Sequence, residues 1–291
     1  MRYVTFTHAT GDTPRLGVVQ GDRIVPVTAF GSLLELLDAG PAGWARAATQ
    51  TARQGDTGLP QQDVRLQSPI PRPRRNVFCV GVNYLDHMKE STAARGKEQK
   101  IPEVPIFFTK ATGTMNGPFD PVPWDTTATQ QVDYEAELGV IIGVGGKNIP
   151  RAAALDHVFG YTVINDVTAR DVQLKHVQWM KGKSMDGFCP MGPCVVTADE
   201  FGDPQHKHIG LRLNGETRQD ANTRDMIFPV AVIIEALSRG LTLLPGDIIA
   251  TGTPQGVGLG RNPPEYMKAG DVMETEVEGI GLIRNRIEAG A

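Results

Sequence analysis

The segment from Val132 to Ile142, V-D-Y-E-A-E-L-G-V-I-I, joins an acidic half to an apolar half, and this limits what the chain can fold into. Read as a β-strand, it alternates between two faces and places Asp133, Glu135 and Glu137 together on one of them. Like charges in a row repel one another, and burying them unpaired is costly or forces a pKa shift. A divalent cation with oxygen ligands, such as Mg²⁺, would compensate for this. A simply solvated acidic face is the alternative.

The composition is that of an ordinary globular chain. Its 291 residues, 40% hydrophobic and 21% charged, suffice for one large domain, alone or with a small one attached. The net charge of −4 and the lack of a basic block argue against a nucleic-acid partner. No apolar run approaches the ~18 residues of a membrane span, and the N-terminus reads as a strand and not as a signal peptide. We therefore expect no membrane partner and a cytoplasmic location.

The cysteines agree with a reducing compartment. Cys79, Cys189 and Cys194 are odd in number and lack CxxC spacing, which argues against a disulfide framework and against a zinc site. Cys79 lies in the apolar run 77–80, so a buried structural thiol is its expected role.

The chain is expected to divide near residue 70. Residues 1–70 predict a small N-terminal α+β domain, with a helix that begins at Ser32, where Glu35 completes a capping box. The proline-rich segment 68–73 is typical of a stiff linker. Residues 71–291 form the second predicted domain, in which strands outnumber helices and Asn214-Gly215 predicts a hairpin turn. The predicted fold class is α+β.

A candidate general base follows the predicted strand 76–82. His87 and Glu90 are three residues apart, so on a helix they share a face and can form a hydrogen bond. A carboxylate that holds one imidazole nitrogen fixes the tautomer and raises the basicity of the other nitrogen. The alternative is an ordinary surface pair. Residues 91–103 predict a mobile loop, and a loop directly after a candidate base is typical of a lid.

Asp166 lies at a predicted junction between a strand, 159–165, and a helix. Thr168 and Asp171 predict a capping box there, and the helix would carry Gln173. Such junctions often present ligand groups, although an ordinary capping aspartate is the alternative.

Two glycine-containing loops differ in what they suggest. The segment 179–193 contains Lys183, which is either solvated or placed to stabilise negative charge beside a metal and an anionic substrate. The segment 251–258, T-G-T-P-Q-G-V-G, lacks the Lys-Ser/Thr of a P-loop and does not fit a Rossmann fingerprint. Nucleotide binding is therefore not expected.

Five motifs, in order over roughly residues 70–291, together resemble the fumarylacetoacetate hydrolase family. They are G-V-N-Y-L-D-H-M-K-E, D-Y-E-A-E-L-G-V, I-N-D-V-T-A-R-D, G-K-S-M-D-G-F-C-P-M-G-P and T-G-T-P-Q-G-V-G. The closing stretch R-N-P-P-E-Y-M-K-A-G-D is similar to that of the fumarylacetoacetate hydrolase domain-containing proteins and their bacterial relatives. Residues 1–70 resemble the variable N-terminal piece of many bacterial members. The combination is specific for a family and not for a substrate.

The resemblance implies the α+β fold of that family, a mostly antiparallel, rolled sheet around a Mg²⁺ or Mn²⁺ site. Glu135, Glu137 and Asp166 match the family's metal ligands, and Lys183 matches an active-site lysine. Asp133 matches no family role, so we expect it to lie behind the ligands or at the surface.

The resemblance also implies catalytic and substrate-binding residues. His87 and Glu90 match a catalytic dyad on a lid that orders over bound substrate. Gln173 and Thr253 match positions that contact the carboxylate or oxo groups of the substrate. Lys110, in an F-x-K segment, is a weaker substrate-binding candidate. The family commonly forms homodimers, which the resemblance implies here too.

The main hypothesis for the activity is hydrolysis of a C–C bond in a 2,4-dioxo acid of the acylpyruvate or fumarylpyruvate type. A 2-oxo acid can chelate the metal, which then stabilises the enolate that forms when the bond breaks. His87 backed by Glu90 would activate water, and Lys183 would help to hold the negative charge.

The same site serves several other reactions. Loss of CO₂ from oxaloacetate gives the same enolate, and a keto–enol tautomerase or a 2-hydroxyhepta-2,4-diene-1,7-dioate isomerase would only move a proton. A non-catalytic protein that binds 2-oxo acids is a remote alternative, against which the presence of a base argues. Val82 stands where some acylpyruvate-cleaving relatives have arginine, which weakens the transfer of their exact substrate.

Overall fold

A computed structural model describes residues 1–8, 11, 13–54, 57–95 and 100–290, without the side chains of residues 91 and 93–95. These residues form nineteen β-strands and seven α-helices, with short 3-10 turns between them. The strands β1 to β19 are, in order, Arg2–His8, Arg15–Gln20, Arg23–Pro26, Leu59–Pro60, Val64–Gln67, Val77–Gly81, Ile106–Lys110, Met115–Asn116, Val122–Trp124, Val132–Asp133, Ala136–Ile142, Val158–Asn165, Thr168–Ala169, Cys189–Thr197, His208–Leu213, Glu216–Asn222, Ile248–Ala250, Val272–Val277 and Gly281–Ala289. The helices α1 to α7 are Leu33–Asp38, Gly40–Gln54, Leu85–Arg95, Arg170–Lys175, Met180–Lys183, Ala198–Phe201 and Val230–Ser238. None of the described helices is long and apolar enough to cross a membrane.

One large sheet runs through the molecule in the order β4-β3-β2-β1-β14-β12-β11-β17-β6-β7, with β5 beside β1 and β8 beside β14. A five-stranded sheet, β16-β15-β18-β19-β9, and the pair β10-β13 complete the described sheets. Three of the described strand pairs are parallel, β17-β6, β14-β8 and β19-β9, and the others are antiparallel. The predicted α+β, mostly antiparallel fold is therefore confirmed.

The N-terminal strands belong to the same sheet as the rest of the chain. β1 pairs with β14, with Tyr3 opposite Val195, so the first strand is hydrogen-bonded into the centre of the large sheet. Leu33 and Leu36 of α1 pack in one apolar cluster with Ile141 of β11. The domain boundary near residue 70 stays a prediction, and the two parts share both a sheet and a core.

The acidic segment forms two strands, and the uninterrupted alternation predicted for Val132 to Ile142 is wrong. β10 pairs with β13, whereas β11 pairs with β12 and β17 and is buried along its whole length. Between β10 and β11 the N–H of Glu135 donates to Asn165 Oδ1 at 3.0 Å. A side chain thus takes the hydrogen bond that a neighbouring strand would have made, and the ladder is interrupted.

Two capping predictions have different outcomes. Ser32 Oγ accepts the N–H of Glu35 at 3.2 Å, as predicted, and the Glu35 carboxylate accepts the N–H of Gly31. The capping box predicted at Thr168 is wrong, because α4 begins at Arg170 and has no side-chain cap. Thr168 donates instead to the carbonyl of Asp166, which closes a local turn before the helix starts.

The helix that carries the candidate base is longer than predicted. α3 continues through residues 91–95, where the sequence predicted a loop from 91 to 103. Residues 96–99 of that predicted lid lie outside the described part of the chain.

The three cysteines are buried and free. Burial raises the pKa of Cys189 to about 12 and that of Cys194 to about 11, so both thiols stay protonated at neutral pH. Burial likewise raises the pKa of Cys79, which agrees with the structural role predicted for it.

Candidate metal centre and active site

Three carboxylates meet where β11 and β12 lie side by side. One carboxylate oxygen from each of Glu135, Glu137 and Asp166 lies within 4.8 Å of the others, and all three side chains are buried. The N–H of Asp166 donates to the carbonyl of Glu135 at 2.9 Å, which ties the end of β12 to the break before β11. The three predicted metal ligands are therefore brought together by strand pairing.

Two lysines lie against this cluster. Lys183 Nζ lies 2.7 Å from Glu135 Oε2 and 2.7 Å from Asp166 Oδ2. Lys110 Nζ donates to the other oxygen of Asp166 and, at 3.1 Å, to the carbonyl of Val167. Both ammonium groups are buried, as buried carboxylates require of their partners.

Arg170 is the third cation of the site, and the sequence reasoning missed it. Its Nε donates to Asp133 Oδ2 at 2.8 Å, and its Nη1 donates to Gln173 Oε1 at 3.1 Å. Nη2 lies 2.7 Å from Glu135 Oε1 and forms an ion pair with that carboxylate. The signal for Arg170 was its position three residues before Gln173 on one helix face.

Asp133 lies behind the ligands and not at the surface. Its carboxylate accepts the N–H groups of Gly258 at 2.7 Å and Leu259 at 3.0 Å, in addition to the guanidinium of Arg170. It therefore links the glycine-rich loop to the helix that carries Arg170 and Gln173.

The charges of Glu135 and Glu137 differ in how they are balanced. Burial alone would raise the pKa of Glu135, but the charges of Lys183 and Arg170 outweigh it and hold that pKa at about 2. Burial, together with the charge of Asp166, raises the pKa of Glu137 well above its usual range. The carboxylate of Glu137 accepts a hydrogen bond from the N–H of Gly252.

The donor set therefore fits a divalent cation. Four buried carboxylates, those of the three candidate ligands and of Asp133, face three buried cations, Lys110, Arg170 and Lys183. The surplus negative charge is concentrated at Glu137, and every candidate ligand atom is a carboxylate oxygen. Hard cations such as Mg²⁺ and Mn²⁺ prefer such ligands.

His87 and Glu90 form the predicted pair on α3. His87 Nδ1 lies 3.2 Å from Glu90 Oε2, and the Glu90 carboxylate also accepts the N–H of Gly256 at 3.0 Å. Gly260 lies so close that a Cβ there would overlap the side chain of Glu90. Gly256 and Gly260 thus fix the position of the Glu90 carboxylate. Since Glu90 contacts Nδ1 of His87, the other ring nitrogen, Nε2, is left for a substrate.

The turn before α3 fixes where His87 lies. Asn83 donates through Nδ2 to the carbonyls of Phe228 at 3.1 Å and Thr251 at 2.7 Å, and its Oδ1 accepts the N–H of Phe228. Val82 has φ 55°, a left-handed conformation that a β-branched side chain adopts only under constraint. Asn83 supplies that constraint, and the sequence reasoning did not single it out.

A small pocket opens onto Glu135, one of the three carboxylates of the cluster. Its cavity volume is about 30 Å³. The polar side chains that line it are His87, Glu135, Arg170, Gln173, Lys183 and Thr253. Five of these six are among the predicted site residues. Lys110, by contrast, does not line this pocket in the described part of the chain and lies behind Asp166.

Comparisons with known proteins agree with this fold. The profile described as fumarylacetoacetate (FAA) hydrolase C-terminal matches residues 76–288, and one described as Rv2993c-like, N-terminal matches residues 1–69. The chain belongs to the fumarylacetoacetate hydrolase family, which is a family of enzymes.

Among individual proteins, oxaloacetate tautomerase YisK of Bacillus subtilis (strain 168) is 43% identical over 264 residues, covering 88% of this chain and 86% of that one. The structure of a fumarylacetoacetate hydrolase from Exiguobacterium antarcticum superposes with a TM-score of 0.83 at 43% identity and covers both chains fully. A maleylpyruvate hydrolase from Sphingobium sp. SYK-6, in complex with manganese (II) and pyruvate, has a TM-score of 0.81 at 32% identity and covers both chains fully.

Proposed function

We propose that this protein is a metal-dependent keto–enol tautomerase that acts on a short 2-oxo diacid of the oxaloacetate type. The observation that carries the proposal is a cavity of about 30 Å³ shared by an imidazole, a guanidinium and an ammonium group. These groups can accept, hold and return one proton beside a 2-oxo acid, which is the whole requirement of a keto–enol tautomerisation. This choice also agrees with the name of the B. subtilis relative.

Glu135, Glu137 and Asp166 would hold Mg²⁺ or Mn²⁺. When bound, such a cation supplies Lewis acidity, which makes the C–H bond beside a 2-oxo group more acidic. The surplus negative charge at Glu137 and the manganese in the Sphingobium hydrolase support this assignment. The activity test described below adds each of the two metals in turn.

His87 would carry the proton. Its Nε2 removes a proton from C3 of the keto acid and returns the same proton to the 2-oxo oxygen, which gives the enol and the neutral imidazole again. Glu90 accepts the Nδ1–H of His87, which keeps Nε2 as the basic nitrogen, and balances the imidazolium once it forms.

The cations would recognise the substrate. The buried guanidinium of Arg170 lines the pocket and can donate to a substrate carboxylate, and charge-assisted bonds of this kind are among the strongest. Lys183 would stabilise the negative charge that develops on the enolate oxygen. Gln173 and Thr253 line the same cavity and would orient the carboxylate or oxo groups.

Hydrolysis of a 2,4-dioxo acid, which the sequence reasoning favoured, is the second candidate. It is supported by the likeness to the Sphingobium maleylpyruvate hydrolase. Decarboxylation of oxaloacetate would use the same groups. The homodimer and the cytoplasmic location stay predictions.

The test is a comparison of three reactions in chelator-treated protein, before and after addition of Mg²⁺ or Mn²⁺. We expect the added metal to accelerate the ketonisation of oxaloacetate, which is monitored as the loss of enol absorbance. Release of CO₂ should be slower, and acetylpyruvate should be cleaved little. Equal ketonisation with and without metal would contradict the proposal. Faster cleavage of acetylpyruvate than ketonisation would return hydrolysis to first place.

A further inference from the structure

We propose that Trp179 and Gly81 form a length filter that restricts the site to 2-oxo acids of about four carbons. The inference rests on the proposed function and adds to it a wall of the pocket that faces the substrate chain. Gly81, Trp179 and Phe108 line the same cavity as the candidate catalytic groups.

The contact between Gly81 and Trp179 requires glycine. A Cβ built at Gly81 would overlap Cζ3 of the Trp179 indole and lie 2.9 Å from Cη2, closer than real Cβ atoms approach other groups. The benzo edge of the indole therefore lies directly on the bare backbone at the end of β6. This close approach fixes how far the indole lies from the carboxylates.

A stack of contacts joins the indole to the reactive end of the pocket. The rings of Trp179 and Phe108 meet edge to face, with centroids 5.4 Å apart at an angle of 66°. Lys183 Nζ lies 5.1 Å from the Phe108 centroid, within the range of a cation–π interaction. The N–H of Lys183 donates to the carbonyl of Trp179 at 3.1 Å, so the wall and the ammonium belong to one helical turn.

A chain longer than four carbons would have to displace this wall. The cavity is small, and hydrophobic pockets separate ligands that differ by one methylene by roughly ten- to 200-fold. The indole itself is half-buried, and its neighbours Val177 and Met180 are 94% and 41% exposed. The wall therefore lies at the surface of the molecule, where a substitution can enlarge the pocket without opening the core.

The first test replaces Trp179 by Ala and, should that variant not fold, by Leu. Exchange of the C3 protons for deuterium is followed by NMR in D₂O for oxaloacetate and for its homologues with one and two more methylenes. In the wild type we expect the rate to fall at least about tenfold per methylene. In Trp179→Ala, the exchange rate of a longer acid divided by that of oxaloacetate should rise about tenfold or more. If this ratio of exchange rates is unchanged, or if the exchange rates of all the acids fall equally, the proposed filter is overturned.

The second test moves the wall inward. Gly81→Ala should push the indole into the cavity and raise KM for the four-carbon acid several-fold, whereas kcat changes less. The double variant Gly81→Ala/Trp179→Ala should recover the lower KM, because the new methyl group then occupies space that the indole has left. Failure of the double variant to recover overturns the proposed contact. The control is Trp44→Leu, which removes an edge-on contact with Phe159 outside the pocket. It should leave the ratio of exchange rates between longer and shorter acids unchanged.

A third measurement separates the filter from the proposed reaction. If the wild type exchanges no C3 proton of any acid, the tautomerase proposal fails. The filter is then read from the rise in melting temperature that the same acids produce in the Mn²⁺-loaded protein. The filter is supported if the rise in melting temperature decreases with chain length in the wild type but is the same for all the acids in Trp179→Ala. The same length dependence in both proteins overturns it.

Discussion

The Nζ atom of Lys110 lies 2.5 Å from Oδ1 of Asp166, and both side chains are fully buried. The second oxygen of Asp166 contacts Lys183, so Lys110 and Lys183 each bind a different oxygen of the same carboxylate. Lys110 therefore fixes the orientation of a candidate metal ligand from behind. This arrangement differs from the substrate contact that the sequence predicted for it.

Lys110→Met should destabilise the protein by about 3–5 kcal/mol, because removing one partner of a buried ion pair leaves the other charge uncompensated. Unfolding in denaturant measures this, and Lys175→Met, at an exposed position, is the control. Mn²⁺ affinity should also fall. An unchanged stability together with a raised KM would instead support the predicted substrate-binding role of Lys110.

The same substitution at Glu135 and at Glu137 should change the stability of the metal-free protein differently. Glu135→Gln breaks the pairs with Lys183 and Arg170 and should cost about 3–5 kcal/mol. Glu137→Gln removes the surplus charge, so the free energy of unfolding should stay equal or rise. Both variants should lose at least about tenfold in Mn²⁺ affinity, measured by calorimetric titration. Equal destabilisation by the two substitutions would contradict the charge balance described here.

Gly260→Ala should act on His87 through Glu90. The new methyl group would overlap Glu90 and displace its carboxylate, so the imidazole loses its partner. We expect kcat to fall about tenfold or more, and His87→Asn to cost roughly 10²–10⁴. Mn²⁺ affinity should stay unchanged in both.

The control for that substitution is Gly113→Ala, where a Cβ would come no closer than 4.0 Å to Asp186. Wild-type kcat in Gly260→Ala would show that Glu90 does not need to hold His87 for turnover.

Asp171→Asn should lower stability in a pH-dependent way. Burial would raise the pKa of Asp171, but hydrogen bonds from Thr129 Oγ1 and from the N–H groups of Gln130 and Val172 lower it overall. A carboxyl whose pKa is lowered by folding stabilises the protein above its ordinary pKa near 4. That contribution is lost as the pH falls through the lower folded value. We expect a loss of about 1–2 kcal/mol at pH 7 that shrinks below about pH 4. A gap that stays constant from pH 7 to pH 3 would contradict this.

Several features follow from neighbours in sequence. The i, i+3 spacing places Glu90 on the helix face of His87, and Ser32 caps α1 through a residue three positions away. Asn214 and Gly215 both have positive φ, as the predicted hairpin turn requires. Such features depend on backbone geometry over a few residues, so a local pattern is enough to predict them.

The sequence by itself determined the family, the fold class and the identities of the three acidic residues that converge. Only the tertiary structure decided which charges pair, since Arg170 meets Asp133 across 37 positions and Lys110 meets Asp166 across 56. It also decided that β1 enters the large sheet and that Trp179 lies on Gly81. The physical reason is that such contacts depend on strand register and side-chain packing between distant segments, and periodicity within one segment carries no information about its partners.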